Sequence, residues 1–237
     1  MSTMDLLQAA DILQRFGGAS LTATVSRIEG SVRGLTSRDC SSFLVEVGAS
    51  SELLTAAAAM KRLAGQINVA IHAASILLCL PHILEDGEMV EHVSLGAGNT
   101  GRQFDLETNL RVAEFKFIHW RGGAESIRQN SIFKDFFLLA ESNSFKRKYL
   151  YVLGTEHPLK FLNGGRALSS VLSSNVKLQK KFYEKFGTQF EKVRDYFVSH
   201  RDQIVIQDVS QWVTELMNAT IDEDSNTSTQ DLERAGG

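Results

Sequence analysis

Three charged residues are set among alternating apolar ones in FDLETNLRVAEFKF, residues 104–117: Asp105, Glu114 and Lys116. Read as two strands joined by a two-residue turn at Thr108 and Asn109, the segment places Asp105 opposite Val112, on the face that Val112 shares with Glu114 and Lys116. Phe104, Leu106, Ala113, Phe115 and Phe117 then form the other face, the one a core would take. A slip of one residue would exchange the two faces, so the pattern specifies its register. Two carboxylates held together repel and raise each other's pKa unless a cation lies between them. Oxygen donors of this kind suit Mg²⁺ or Mn²⁺, which keep several waters and complete their shell with substrate phosphate. A lysine beside such an ion can orient a water, help deprotonate it, or neutralise charge as a phosphodiester is attacked. Acid, acid and lysine on one face are the parts of a phosphodiester-hydrolysing site.

The elements that would carry these residues are legible as patterns. After a first amphipathic helix, SLTATVSRIE and SSFLVEVG alternate apolar and polar residues and read as strands, the first equally as loop. Ser50 or Ser51 can cap a long helix rich in alanine and leucine, and Pro81 marks its end. EMVEHVSLG (88–96), RQFDLET (102–108) and LRVAEFKFIHW (110–120) read as three successive strands. Residues 124–142 carry Ile127, Ile132, Phe136, Leu139 and Ala140 at helical spacing, and KRKYLYVLG (146–154) is a further strand. A longer helix is expected at 175–199, then a short apolar IVIQDV and a last helix near 210–219. GAGNTG (96–101) matches a dinucleotide fingerprint in letters alone: a strand pattern follows it, where pyrophosphate would need a helix N-terminus. A glycine-rich turn between strands is the expected role.

The order helix, strand, strand with Asp105, strand with Glu114-Phe115-Lys116, helix, strand resembles the PD-(D/E)xK nuclease superfamily, the restriction-endonuclease-like fold. The resemblance covers about residues 51–154. An acid-x-Lys triplet carries no weight alone; here it lies on a strand with an aspartate on the same face of the preceding one. The resemblance implies Asp105 and Glu114 as ligands of a divalent metal, Lys116 as the catalytic lysine and the Phe115 carbonyl as a further ligand. Phe104 stands where the family's name has proline. Some branches carry Gln-xxx-Tyr in the following helix; Gln129 fits, with Phe133 at the tyrosine position. An acid from the first helix often joins such sites, and Glu52, Glu85, Glu88 and Glu91 are the candidates.

Charge is distributed unevenly along the chain. The 237 residues carry a net −3, yet residues 102–201 hold 18 Lys/Arg against 10 Asp/Glu. A basic middle can attract a polyanion within an acidic protein, and Arg128, Lys134 and the run Lys146, Arg147, Lys148 are the candidate phosphate contacts. Cys40 and Cys79, without metal-binding spacing, read as reduced structural thiols. The apolar passage 73–84 is interrupted by Ser75, Pro81 and His82 and is shorter than the roughly 20 residues of a membrane span. The N-terminus lacks the basic start of a signal peptide, so an intracellular protein without membrane contact is expected.

The expected fold is α/β: a small mixed sheet flanked by helices, with helical extensions at both ends. Residues 1–50 would hold the first helix and the strand candidates, and 51–165 the nuclease-like core. Residues 166–222 would form a mostly helical extension and 223–237 a disordered acidic tail. The expected function is Mg²⁺-dependent hydrolysis of phosphodiester bonds, in DNA first, with Mn²⁺ as substitute and a homodimer compatible. The alternative is a catalytically inactive nucleic-acid-binding or assembly module on the same fold.

Overall fold

The computed structural model describes residues 5–96, 103–120, 122 and 125–218. The expectations for the GAGNTG turn beyond Gly96 and for the 223–237 tail lie outside these residues. The chain divides into two compact units, Met1–Asn68 and Val69–Gly237.

In the first unit, α1 (Leu6–Gly17) begins at Asp5, whose carboxylate accepts from Leu7 N, and α2 (Leu21–Val32) at Ser20, which accepts from Ala23 N. The segments expected to be strands are both helical: α2 covers the first and α3 (Cys40–Val47) the second. The same residues also satisfy the helical period. Leu21, Val25, Ile28 and Val32 recur at i, i+4, i+7 and i+11, and Cys40, Phe43, Leu44 and Val47 at i, i+3, i+4 and i+7. A helix satisfies the backbone hydrogen bonds within the segment itself. Gly48, at φ 72°, closes α3 in the left-handed region. The unit's small core is Ala9, Ile12, Ala56 and Ala59.

The boundary between units falls within α4 (Ser51–Ile83). Pro81 does not end this helix; it lies in the last turn, and Leu84 N still donates to Leu80 O at 3.1 Å. At 33 residues, with an 18-residue window of mean hydropathy 1.7, α4 meets the length and composition of a membrane span, which the interrupted 73–84 passage did not. Its Ile76, Cys79 and Ile83 are buried against the sheet.

The second unit is a five-stranded mixed sheet in the order β1 (Val90–Val93), β2 (Leu106–Thr108), β3 (Arg111–Lys116), β4 (Arg147–Val152), β5 (Ile204–Asp208). β1, β2 and β3 pair antiparallel; β3, β4 and β5 run parallel. Helix α5 (Ser126–Ala140) connects β3 to β4, and four helices, α6 (Glu156–Leu162), α7 (Leu168–Leu172), α8 (Val176–Phe186) and α9 (Val193–His200), connect β4 to β5. Gly187, at φ 54°, interrupts the helix expected over 175–199. After β5 the described residues continue through a 3₁₀ turn to α10 (Glu215–Asn218).

Alternation on the parallel strands explains the layers. Val112, Leu150, Val152 and Ile204 face α5 to α9, where Phe133, Phe136, Phe137, Phe182 and Tyr196 make an aromatic core. Ala113, Phe115, Tyr149 and Tyr151 face the other way, with Ile76, Cys79 and Ile83 of α4. Each buried phenylalanine contributes roughly 1.5–3 kcal/mol, so α5 is fixed mainly by Phe133, Phe136 and Phe137. Residues 166–213 supply much of this core and a sheet strand, so they are integral to the unit where an extension was expected.

Candidate active site

The hairpin turn lies one residue later than expected. Thr108 and Arg111 flank an Asn109–Leu110 turn, with Thr108 Oγ1 accepting from Leu110 N at 3.0 Å and Arg111 N at 2.9 Å. Pairing is therefore Leu106 with Ala113 and Glu107 with Val112. The same register carries Asp105 to Glu114, not to Val112. β2 stops at Leu106, and side chains replace the ladder beyond it. Phe115 N donates to Asp105 Oδ2 at 3.0 Å, and Asp105 N donates to Glu114 Oε2 at 3.3 Å. Because alternation ends there, Phe104 packs on the α5 side with Val112 and Leu150, opposite to its expected face.

The charged face is buried rather than solvated. Glu114 is 8% exposed, because α5 lies over it. Lys116 Nζ stands 2.8 Å from Asp135 Oδ2 of α5, an aspartate only 1% exposed. His72 of α4 brings Nε2 to 3.6 Å from Asp105 Oδ1 and meets the Phe117 ring edge-on. Asp135 and His72 were not among the expected site residues. Each had a signal in the sequence: Asp135 is a charge on the buried stripe of Ile132, Phe136 and Leu139, and His72 precedes Ile76 by one turn on the face that α4 buries.

The two carboxyls are driven apart in acidity. Burial opposes ionisation of Asp105, but hydrogen bonds from His72 and Glu114 and the charges of Lys116 and His72 outweigh it, holding the group down to about 2. Burial, then the negative charges of Asp135 and Asp105, push Glu114 well above the carboxylate range. Burial alone would depress Lys116, but Asp135, Glu114 and Asp105 overcome it and keep the ammonium charged.

Linkage gives opposite signs for the two acids. Asp105 contributes stability above the unfolded value of 3.8 that is lost as pH falls toward about 2. Glu114 contributes stability below its unfolded value of 4.5 that is lost as pH rises through its elevated folded value. Glu114→Gln, which puts a neutral amide in place of a carboxyl whose ionisation burial opposes, is therefore expected to raise Tm at pH 7 by about 3 °C, the scale of roughly 1 kcal/mol in a domain of this size. The gain should vanish near pH 4. Scanning calorimetry without divalent ions checks this, and an unchanged Tm at pH 7 would mean that Glu114 is ionised.

The remaining candidates are placed as follows. Glu52 lies exposed in the first turn of α4, in the other unit. Glu85 and Glu88 join Arg111 at the turn end of the hairpin, and Glu91 binds Lys146 Nζ at 2.6 Å, as Glu107 does at 3.0 Å. None of these acids meets Asp105. Arg147 is held by both oxygens of Glu85, and Lys148 Nζ donates to the Ala140 and Ser142 carbonyls at the end of α5. The basic run is thus engaged internally, by Glu85 before β1, Glu91 on β1, Glu107 on β2 and the end of α5. Gln129 accepts from Arg166 Nη1, and the buried Phe133 beside it belongs to the aromatic core. Arg128 pairs with Glu125 and lines a recess with Lys116, Ile118, Trp120, Ser131 and Pro158; Lys134 is half-buried. His119 Nδ1 lies 3.1 Å from Met217 O.

Among the described residues no three His, Cys, Asp or Glu side chains surround one point as a preassembled metal cage. The donor set still suits a hard cation: two carboxyls, each held by a backbone N–H across the strand pair, with the Phe115 carbonyl on the same strand edge as the N–H from which Asp105 accepts. Mg²⁺ usually takes only one or two protein carboxylates and fills its shell with water and phosphate. No family model, curated protein or solved structure matches the chain.

Proposed function

We propose that the protein hydrolyses phosphodiester bonds of nucleic acid, DNA in the first instance, with Mg²⁺ or Mn²⁺. The observation that carries this reading is the contact of Asp105 with Glu114 at the point where β2 parts from β3, with Lys116 next on the same face. The element order α4, β1, β2, β3, α5, β4 supports a restriction-endonuclease-like core, since it is the order by which the sequence resembles the PD-(D/E)xK superfamily. Asp105, Glu114 and the Phe115 carbonyl would hold the cation. Bound there, it would polarise the phosphoryl oxygen and lower the pKa of a water. Lys116, kept charged, offsets negative charge developing on the attacked phosphate. Arg128 and Lys134, on the helix beside this edge, are the phosphate contacts this reading favours over the internally paired Lys146 and Arg147.

Binding without catalysis is favoured by one observation: Lys116 is already neutralised by Asp135. Titrating Mg²⁺ calorimetrically into the parent and into Asp105→Ala tests the metal directly. Saturable binding that is lost in the variant is expected, and an absence of binding in both would leave the inactive module.

A further inference from the structure

Lys116 and Glu114 stand two positions apart on one strand face, roughly 7 Å, a distance a four-carbon stem can cover. An ammonium there would ordinarily fold onto the nearer carboxyl. It does not. Among the described residues the ion pair of Lys116 is with Asp135, 2.8 Å away, while neither Glu114 nor Asp105 forms an ion pair with it. The charge of Asp135 sits on a helix face that is otherwise apolar, between Ile132, Phe136 and Leu139, and the residue is buried. A carboxylate is costly at such a position unless its partner is held with it. The Asp135 oxygen that faces Nζ is buried without a hydrogen bond, so the ammonium is its sole compensation among the described residues.

We propose that Asp135 is a positioning residue: its carboxylate holds the Lys116 ammonium against α5 and so keeps it out of the Asp105–Glu114 pair, which stays open to a divalent cation. A lysine released from α5 would settle between the two carboxyls as an internal cation and compete with the metal. The geometric half stands by itself; the consequence for metal rests on the hydrolytic reading above.

Two measurements test it. A crystal structure of Asp135→Asn is expected to place Lys116 Nζ within about 4 Å of an Asp105 or Glu114 oxygen, ion-pair distance. Calorimetric Mg²⁺ affinity should fall about tenfold or more on Asp135→Asn when Lys116 is present, but less than about threefold in the Lys116→Met background, the coupling expected of groups in contact. A structural role for Asp135 would cost the same factor in both backgrounds, and that result overturns the proposal, as does Nζ remaining against α5. Should the parent bind no Mg²⁺, the hydrolytic reading fails alone and the position of Nζ still decides this one. Asp135→Ala, which leaves no amide to satisfy, serves in the same tests if Asp135→Asn does not fold.

Discussion

Lys116→Met is expected to bind DNA and Mg²⁺ nearly as well as the parent and to cleave at least about a hundredfold more slowly, the scale of losing one group that stabilises a transition state. Methionine keeps most of the stem while removing the ammonium, and the hydrogen bonds that set Asp105 against Glu114 do not include Lys116. The cost to the fold comes from elsewhere. Asp135, buried on α5, loses its ionic partner, so Tm should fall as well. Adding Asp135→Asn removes that uncompensated charge and should recover most of the Tm without recovering cleavage. Single-turnover cleavage and Tm measured on the same preparations separate the two effects. Full cleavage by the folded single variant would take Lys116 out of the mechanism and leave it as the counter-ion of Asp135.

The chemistry-bearing triplet was legible because a period of two is hard to mistake when one face carries Ala113, Phe115 and Phe117 and the other carries Glu114 and Lys116. Its register was less legible. Thr108–Asn109 and Asn109–Leu110 are both plausible two-residue turns by composition, and the choice is made by contacts far along the chain, with Arg111 and Thr108 both reaching Glu88. The cover over the charges was not legible either, since a strand pattern does not show whether a later helix will lie over it. Asp135 could be reached only by asking why α5 carries an acid among Ile132, Phe136 and Leu139. The run Lys146, Arg147, Lys148 shows the converse, in which clustering in sequence does not show which partners each member meets in the fold. At the start of β4 Lys146 meets Glu91 and Glu107, Arg147 meets Glu85, and Lys148 meets the end of α5. Local alternation also misread α2 and α3, where few apolar positions were available to tell period two from period 3.6.

Arg111→Met is expected to destabilise the protein by about 3–5 kcal/mol, the range for removing one partner of a buried ion pair. Arg111 presents Nε and Nη2 to the two oxygens of Glu88 at 2.5 Å each and Nη1 to the Tyr151 hydroxyl at 2.8 Å, and stacks 4.7 Å from the Tyr149 ring centre. Its side chain is 3% exposed and that of Glu88 is fully buried. Burial works against ionisation of Glu88, but the hydrogen bonds of Arg111 and Thr108 hold it below the ordinary carboxylate range. Burial pushes the Tyr151 hydroxyl up to about 12, so it stays neutral and accepts from the guanidinium. Without Arg111 the carboxylate of Glu88 keeps, among the described residues, Thr108 Oγ1 at 2.6 Å and Glu85 N at 3.0 Å. A second change, Glu88→Leu, removes the stranded charge, and apolar replacement of a whole buried pair is often close to neutral. The double variant should therefore recover most of the stability in chemical denaturation. It should not recover the register as firmly. Thr108 and Arg111 close the Asn109–Leu110 turn, and that turn is what sets Asp105 against Glu114 instead of Val112. The double variant is expected to fold with weaker Mg²⁺ binding than the parent, measured by calorimetry. A double variant that is stable and binds Mg²⁺ as the parent does would show that the β2–β3 pairing holds its register without the buried pair.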